Sequence, residues 1–341
     1  MKVRAKAPLR LGIAGGGTDV SPYSDVYGGA VLNATINLYA HTFLETIEDN
    51  FVRFSALDID TEYTLNLSGD ESHEKGPLLL HQAVYERVIK QFNNGKDIPL
   101  HITTFIDAPV GSGLGSSSSL VVSMLEAFRE LLSLPLGEYD IAKLAYEIER
   151  LDCGFAGGKQ DQYAAAFGGF NFMEFGPEDN VVVNPLRIRR HIINEFEAST
   201  ILFYTGASRE SAKIIEDQVD TIKSGGSPLD AMHETKKAAF QLKVSLLRGS
   251  ISEVAYGLKS SWKAKKATSK AISNNQIQSL EQIVMSAGAT SMKISGAGGG
   301  GFAMILMLPE LKHKVIKALQ NQSGNVVNFQ FTSEGAMSWT I

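Results

Sequence analysis

The chain has 341 residues, enough for about two domains and a sizeable core, and its apolar and charged fractions, 44% and 20%, are ordinary for a globular protein. A net charge of −5 offers no general attraction to nucleic acid. The single cysteine, Cys153, excludes an internal disulfide and makes no zinc-type spacing with any of the seven histidines, and Met1–Lys6 leads into mixed sequence rather than a long apolar run, so that neither a signal peptide nor a membrane span is expected and a reducing cytoplasm is the natural setting.

From Val3 to Ala40 short β-like stretches alternate with glycine turns at Gly15-Gly16-Gly17 and Gly28-Gly29. Strand candidates follow at Thr42–Ile47, Val52–Ser55 and Tyr63–Leu67, and Leu78–Phe92 reads as a helix with Leu79, Ala83, Val84 and Val88 on its apolar face. Leu100–Ile106 alternates like a strand. The string after it, Gly111-Ser112-Gly113-Leu114-Gly115-Ser116-Ser117-Ser118-Ser119, enters a predicted helix, Ser117–Leu134, whose Leu120, Met124, Leu125, Phe128 and Leu131 recur at helical spacing. Glycines at such a junction let the backbone close on an anion, which the free N–H groups and the positive end of the helix dipole favour. Serine caps the helix and offers hydroxyls to phosphate or Mg²⁺. The string is no Walker motif, and Ser116 stands where a dinucleotide fingerprint has its third glycine.

Tyr139–Leu151 is a second amphipathic helix, ending at a glycine-bearing loop, Gly154–Gly158, that opens into Gln160–Phe167. A turn at Gly168-Gly169 and the Pro-, Glu-, Asp- and Asn-rich Gly176–Pro185 suggest a boundary near 180, dividing the chain into domains 1–180 and 181–341. The second half shows a strand at Thr200–Tyr204 and helices at about Ser208–Ser224, Pro228–Leu247, Ile251–Lys266 and Asn275–Ala287. A strand–glycine–strand unit from Met292 to Leu308 contains four consecutive glycines, Gly298–Gly301, and a helix near Pro309–Gln320 and a strand near Val326–Thr332 follow. The pattern is α+β without internal repeats, and nothing in it sets an oligomeric state.

Three segments in order, Ala7 to Asp19, Pro109 to Ser119 and Lys293 to Gly301, match the motifs of one superfamily, and the chain resembles the GHMP kinases over nearly its whole length. The wording of Gly15 to Tyr23, Gly28 to Ile36, Gly157 to Tyr163 and Tyr204 to Arg209 is similar to the branch that phosphorylates the anomeric hydroxyl of D-glycero-D-manno-heptose 7-phosphate. The resemblance implies the GHMP kinase fold, an N-terminal α/β domain with a left-handed crossover followed by a ferredoxin-like α+β domain. It also implies ATP and Mg²⁺ as cofactors and a small sugar phosphate as partner, with neither nucleic acid nor membrane.

By the same resemblance Pro109, Gly111, Gly113, Leu114, Gly115, Ser116, Ser117 and Ser118 form the ATP loop. Asp161 falls at the catalytic aspartate of the family's sugar kinases, although an aspartate after a glycine loop also suits a helix N-cap. Arg10 takes the place of a basic residue beside the transferring phosphate. Glu149, twelve residues before Asp161, would hold Mg²⁺ with a serine hydroxyl, Ser117 first among them, and Glu147 is its rival. Gly17, Thr18 and Asp19 match positions facing the sugar, and Gly298 and Gly299 lie in the loop expected to close over the triphosphate or abut the substrate loop. For the second phosphate of the acceptor the candidates are Arg209 and Lys213, the five lysines from Lys259 to Lys270, and Arg187, Arg189 and Arg190.

Two departures bear on specificity. Gly15-Gly16-Gly17-Thr18-Asp19 replaces the Gly-Glu-His-Thr-Asp of galactokinases, and four serines stand where many relatives place alanine, which leaves the metal-binding serine open. A fucose-type sugar-1-kinase is a competing reading, with Gly17 where such kinases tend to have tryptophan. A non-catalytic sugar- and ATP-binding regulator is another, opposed by the presence of Asp161, Glu149, Ser117 and Arg10.

Overall fold

The computed structural model describes residues 1–67, 76–206, 211–223 and 225–341. Its first sheet is built on two long antiparallel strands, β1 (Lys2–Ala14) and β2 (Gly29–Thr46), joined through a glycine loop and the short helix α1 (Tyr23–Tyr27). β3 (Phe51–Ala56) and β4 (Thr61–Asn66) form a hairpin. After α2 (Leu79–Phe92), β5 (Leu100–Ile106) inserts between β2 and β3, antiparallel to the first and parallel to the second. The helices α3 (Ser116–Leu132), α4 (Glu138–Glu147) and α5 (Gln160–Phe167) follow, with a π-turn at Ile148–Asp152 between α4 and α5, and then β6 (Phe170–Phe175) pairs with the early half of β2 and β7 (Val181–Pro185) with β6.

The second half runs α6 (Arg190–Ala198), β8 (Thr200–Tyr204), α7 (Ser211–Lys223), α8 (Ser227–Arg248), α9 (Ile251–Thr268), α10 (Asn275–Ser286), β9 (Ala289–Ile294), β10 (Phe302–Met307), α11 (Lys312–Leu319) and β11 (Asn325–Val327). Its four strands are ordered β11-β8-β10-β9, all antiparallel, the arrangement of a ferredoxin-like unit. A further strand, β12 (Met337–Thr340), then returns to the first sheet and pairs with β1. Among the described residues no helix is long and apolar enough to cross a membrane.

Three cores explain the patterning. One lies between the first sheet and α2–α5, with Phe54, Tyr85, Val88, Ile102, Leu125 and Phe128 fully or almost fully buried. A second joins the two halves: Leu9, Leu11 and Ile13 of β1 meet Leu242 and Leu246 of α8, Leu258 of α9, and Met304 and Leu306 of β10. A third fills the far side of the second sheet with Trp262, Ile277, Val284 and Val315. β10 is apolar throughout because it serves two of them, Phe302, Met304 and Leu306 facing the shared core and Ala303, Ile305 and Met307 the other. At about 1.5–3 kcal/mol for each fully buried large apolar side chain, the shared core far outweighs what surface ion pairs, worth about 0–1 kcal/mol each, could add between the halves.

The expected division at 180 cuts through the first sheet. The polar Gly176–Asn180 segment is the turn of the β6–β7 hairpin, closed by Gly176 N–H donating to Asn180 O at 2.8 Å and Asn180 N–H to Pro177 O at 3.1 Å, with Glu178 and Asp179 both at φ 57°. Its composition reflects that tight turn, and residues 181–185 and 337–340 belong to the first sheet.

Candidate active site

A cleft of about 640 Å³ opens between the halves, floored by the loop from β5 to α3. One end is apolar, lined by Ala56, Ile59, Leu79, Ile106 and Val110; the middle by Gly111, Gly113, Gly115, Ser116 and Ser117; the other end by Gly17, Asp19, Gly158, Gln160, Gln218 and Lys265. The serine loop thus carries an open helix N-terminus: Gly115 caps α3 in the left-handed region, φ 74°, and as a glycine offers the first turn no side-chain cap. Those N–H groups and the dipole behind them favour phosphate oxygens. At the apolar end His81 is almost fully buried, its Nε2 2.7 Å from Thr104 Oγ1, and burial pulls its pKa down to about 4, keeping the imidazole neutral.

The loop is held by the other two motifs. Arg10 N–H donates to Leu114 O at 3.0 Å, and its Nη1 donates to Gly113 O at 2.6 Å. From the far side Phe302 N–H donates to Ser112 O at 3.0 Å, and the backbones of Gly113 and Ser295 pack so closely that a Cβ on Gly113 would stand 2.6 Å from Ser295 O. Lys293, fully buried, donates from Nζ to Gly12 O at 2.6 Å and to Ile13 O at 3.0 Å, tying β9 to β1; burial carries its pKa well below the ordinary lysine value.

Asp161 opens the first turn of α5 and points at the serine loop. Arg10 Nε and Nη2 lie 2.8 and 2.7 Å from its Oδ1, while a Cβ on Gly115 would come within 3.2 Å of Oδ2. Arg10 is nearly buried and Asp161 is 21% exposed to the cleft. The flanking glutamines have separate duties. Gln160 donates from its backbone N–H to Asp19 Oδ2 at 3.1 Å and from Nε2 to Oδ1 at 2.9 Å, and the latter oxygen also accepts from Gly17 N–H at 3.0 Å. Gln162 donates to Glu149 Oε2 from inside the fold.

Glu149 is fully buried in the π-turn after α4. Ser118 Oγ donates to its Oε2 at 2.6 Å, whereas Oε1 accepts no hydrogen bond from the described residues and has Arg150 Nη1 3.8 Å away. An unpartnered carboxylate oxygen behind a serine loop is the kind of hard oxygen donor that Mg²⁺ takes, and Ser117, exposed to the cleft one residue before Ser118, offers a hydroxyl of the same kind. The residues present therefore fit a magnesium site.

Residues 80–169 match the GHMP kinases N terminal domain. Over 339 residues, 99% of each chain, the sequence is 46% identical to the D-glycero-alpha-D-manno-heptose 7-phosphate kinase of Campylobacter jejuni subsp. jejuni serotype O:2. The chain belongs to the GHMP kinases. Among solved structures, a D-glycero-D-manno-heptose 1-phosphate kinase from Bacteroides thetaiotaomicron superposes with a TM-score of 0.84 at 43% identity, covering 99% of both chains. A mevalonate kinase, at 18% identity, 97% of this chain and 99% of that one, shares the GHMP kinase fold with a TM-score of 0.77.

Within this GHMP kinase the structure brings Arg10, Gly17, Asp19, Gly111, Gly113, Gly115, Ser116, Ser117 and Asp161 to one cleft. Several expected contacts fall elsewhere. Thr18 is completely buried: its hydroxyl donates to Gly15 O at 2.7 Å and accepts from Ala30 N–H at 3.0 Å, so it shapes the glycine loop from behind. Gly298 and Gly299 pack on the 270–274 segment, with Gly299 N–H donating to Ile272 O at 2.8 Å and Asn274 Nδ2 to Gly299 O at 3.0 Å; Gly296 and Ala297 line the cleft instead. Pro109 and Leu114 support the loop from outside the lining, Ser118 is turned inward to Glu149, and Glu147 binds Arg87, Nη1 to Oε2 at 3.3 Å, away from the site. Arg209 lies outside the described residues. Arg187, Arg189 and Arg190 sit at the start of α6 and do not line the cleft. Arg150 and Gln218, which do, carry no motif signal; only their nearness in sequence to Glu149 and to the helix after Tyr204-Thr205-Gly206 hints at them.

Proposed function

We propose that this kinase transfers the γ-phosphoryl group of ATP to the anomeric C1 hydroxyl of D-glycero-D-manno-heptose 7-phosphate, giving the 1,7-bisphosphate for nucleotide-activated heptose. The observation that carries the reading is the placement of Asp161, one oxygen clamped by Arg10 and the other directed to the turn where the serine loop meets the acceptor end of the cleft. The 46% identity with a heptose 7-phosphate kinase supports the choice of acceptor.

In this scheme the triphosphate lies on the α3 N-terminus and the adenine against the apolar end. The C1 oxygen forms a bond to the γ-phosphorus as the bond from that phosphorus to the β–γ bridging oxygen breaks and ADP departs. The proton of the C1 hydroxyl passes to Asp161 Oδ2, and Arg10 offsets the charge gathering on the transferring group. Asp19, oriented by Gly17 and Gln160, accepts from hydroxyls of the sugar. Ser117 and Glu149 Oε1 would hold the magnesium ion, whose charge neutralisation assists the triphosphate.

The relatives' names differ over the acceptor, heptose 7-phosphate in one and heptose 1-phosphate in the other. Purified protein supplied with ATP, Mg²⁺ and, separately, heptose 7-phosphate, heptose 1-phosphate, unphosphorylated heptose and fucose is expected to turn over the first, with a new anomeric phosphate in the phosphorus NMR spectrum. Turnover of a neutral sugar alone, or a product phosphorylated away from C1, would overturn the assignment.

A further inference from the structure

We infer that Lys265 is the acceptor-side cation of this enzyme, its ammonium binding the phosphate that the sugar already carries. The inference rests on the sugar-phosphate reading above.

Lys265 lies near the C-terminal end of α9 and is 5% exposed, yet it lines the acceptor end of the cleft. A Cβ on Gly16, in the middle of the sugar loop, would stand 3.5 Å from its Nζ. Its bond within the protein is to Gly296 O, at 2.6 Å, so one of three N–H bonds is accounted for, and among the described residues no carboxylate lies within ion-pair distance. Of the other cations near the site, Arg150 lines the cleft with its Nη1 3.8 Å from Glu149 Oε1, and two more are spent. Arg10 serves Asp161 and Gly113 O, and Lys293 serves two carbonyls of β1. A buried ammonium left without an anion is costly, and a phosphate entering between the sugar loop and Gly296 would remove the cost.

The lysine is held in place. Thr268 Oγ1 donates to Lys265 O at 2.8 Å and accepts from Gln218 Nε2 at 2.9 Å, and that amide in turn covers Gly17, whose Cβ would fall 3.0 Å from it. α7 and α9 thus form a wall over the sugar loop, with the ammonium as its one described cation facing the cleft. The charged groups around it are Asp19 from the loop, Asp161 from α5, Arg10 from β1 and Lys293 from β9. Burial lowers its pKa to about 8, so it is mostly protonated at neutral pH and loses its charge just above it.

The test is steady-state kinetics of wild type, K265M, K265R and a K263M control, the last an exposed lysine on the same helix, with heptose 7-phosphate and unphosphorylated heptose as acceptors. For K265M the KM for heptose 7-phosphate is expected to rise about 10²-fold at pH 7, the size of a lost charge-assisted contact. KM for ATP and for unphosphorylated heptose stays unchanged, K265R recovers part of the loss and K263M behaves as wild type. In wild type the KM for the sugar phosphate climbs above about pH 8, where the ammonium deprotonates, and in K265M that climb is absent. An equal rise for both acceptors, or a rise in KM for ATP instead, would refute the role of Lys265. Binding of a non-hydrolysable ATP analogue shows that the variant cleft is intact; if K265M fails that control, K265Q is measured in its place. Wild type without activity on the sugar phosphate would sink the proposed function itself, a result separable from normal wild-type turnover with no selective loss in the variants.

Discussion

Both Arg10 contacts to Asp161 fall on the same oxygen, Oδ1, at 2.8 and 2.7 Å, and Oδ2 is left facing Gly115 and the cleft. A carboxylate clamped on one oxygen keeps its orientation while the other stays available to a substrate proton. Replacing Asp161 with Asn preserves the size and removes the proton acceptor. The expected result is a kcat lower by about 10² to 10⁴ with near-normal affinity for an ATP analogue. A variant retaining more than a tenth of the wild-type kcat would rule Asp161 out as the base.

The glycine at 158 is a steric requirement of the sugar end. A Cβ there would lie 2.0 Å from Asp19 Oδ2, and its neighbour Gly157 is pressed against the Arg150 guanidinium. Gly158→Ala is expected to push the Asp19 carboxylate out of its cradle of Gly17 and Gln160, raising the acceptor KM by about 10-fold or more through the loss of at least one charge-assisted hydrogen bond, with KM for ATP little altered. Kinetics with each substrate varied in turn would show the split.

The two serines have different tasks, and magnesium titration separates them. Ser117→Ala removes a cleft-facing hydroxyl and is expected to raise the Mg²⁺ concentration needed for half-maximal activity without lowering the melting temperature. Ser118→Ala strips a partner from the fully buried Glu149. It is expected to cost about 1–3 kcal/mol of stability in addition to weakening the response to Mg²⁺. Identical behaviour of the two variants would contradict the arrangement.

His81 supplies a pH dependence of stability. Its folded pKa of about 4 lies below the ordinary histidine value of 6.5, so between these pH values the unfolded chain binds a proton that the folded protein refuses. Stability from this group is complete above pH 6.5 and is lost as pH falls toward 4, in total about 3 kcal/mol. Urea unfolding of wild type and His81→Asn across that range should show the steeper pH dependence in wild type.

Much of the site was legible because phosphate binding needs backbone in a particular shape, and glycine and serine at a strand-to-helix junction announce it. The first motif led to Arg10 and Asp19, and the separate Gly157–Tyr163 string to Asp161, all three of which line one cleft, while Glu149 was named from its spacing to Asp161. What escaped were roles decided by packing across the chain. Thr18 reads as a sugar contact until its hydroxyl is seen closing its own loop, and nothing in four successive serines says which one turns inward. Lys265 was one of five lysines within a dozen residues, and only burial against Gly296 separates it from the others. The elements missed include α1, β6, β7, α6 and β12, short segments whose signals depend on neighbours far away in sequence.

The return of Met337–Thr340 to the edge of β1 links the order of synthesis to the completion of the fold. While the ribosome is still making the second half, β1 has its partner β2 but an open outer edge, a row of unpaired amides able to recruit a strand from another nascent chain. That edge is covered when four residues made more than three hundred positions later arrive, with Thr340 also reaching Glu130 of α3 at 3.0 Å. A stalled or clipped polypeptide lacking them would carry all three kinase motifs and still present a sticky seam to its neighbours.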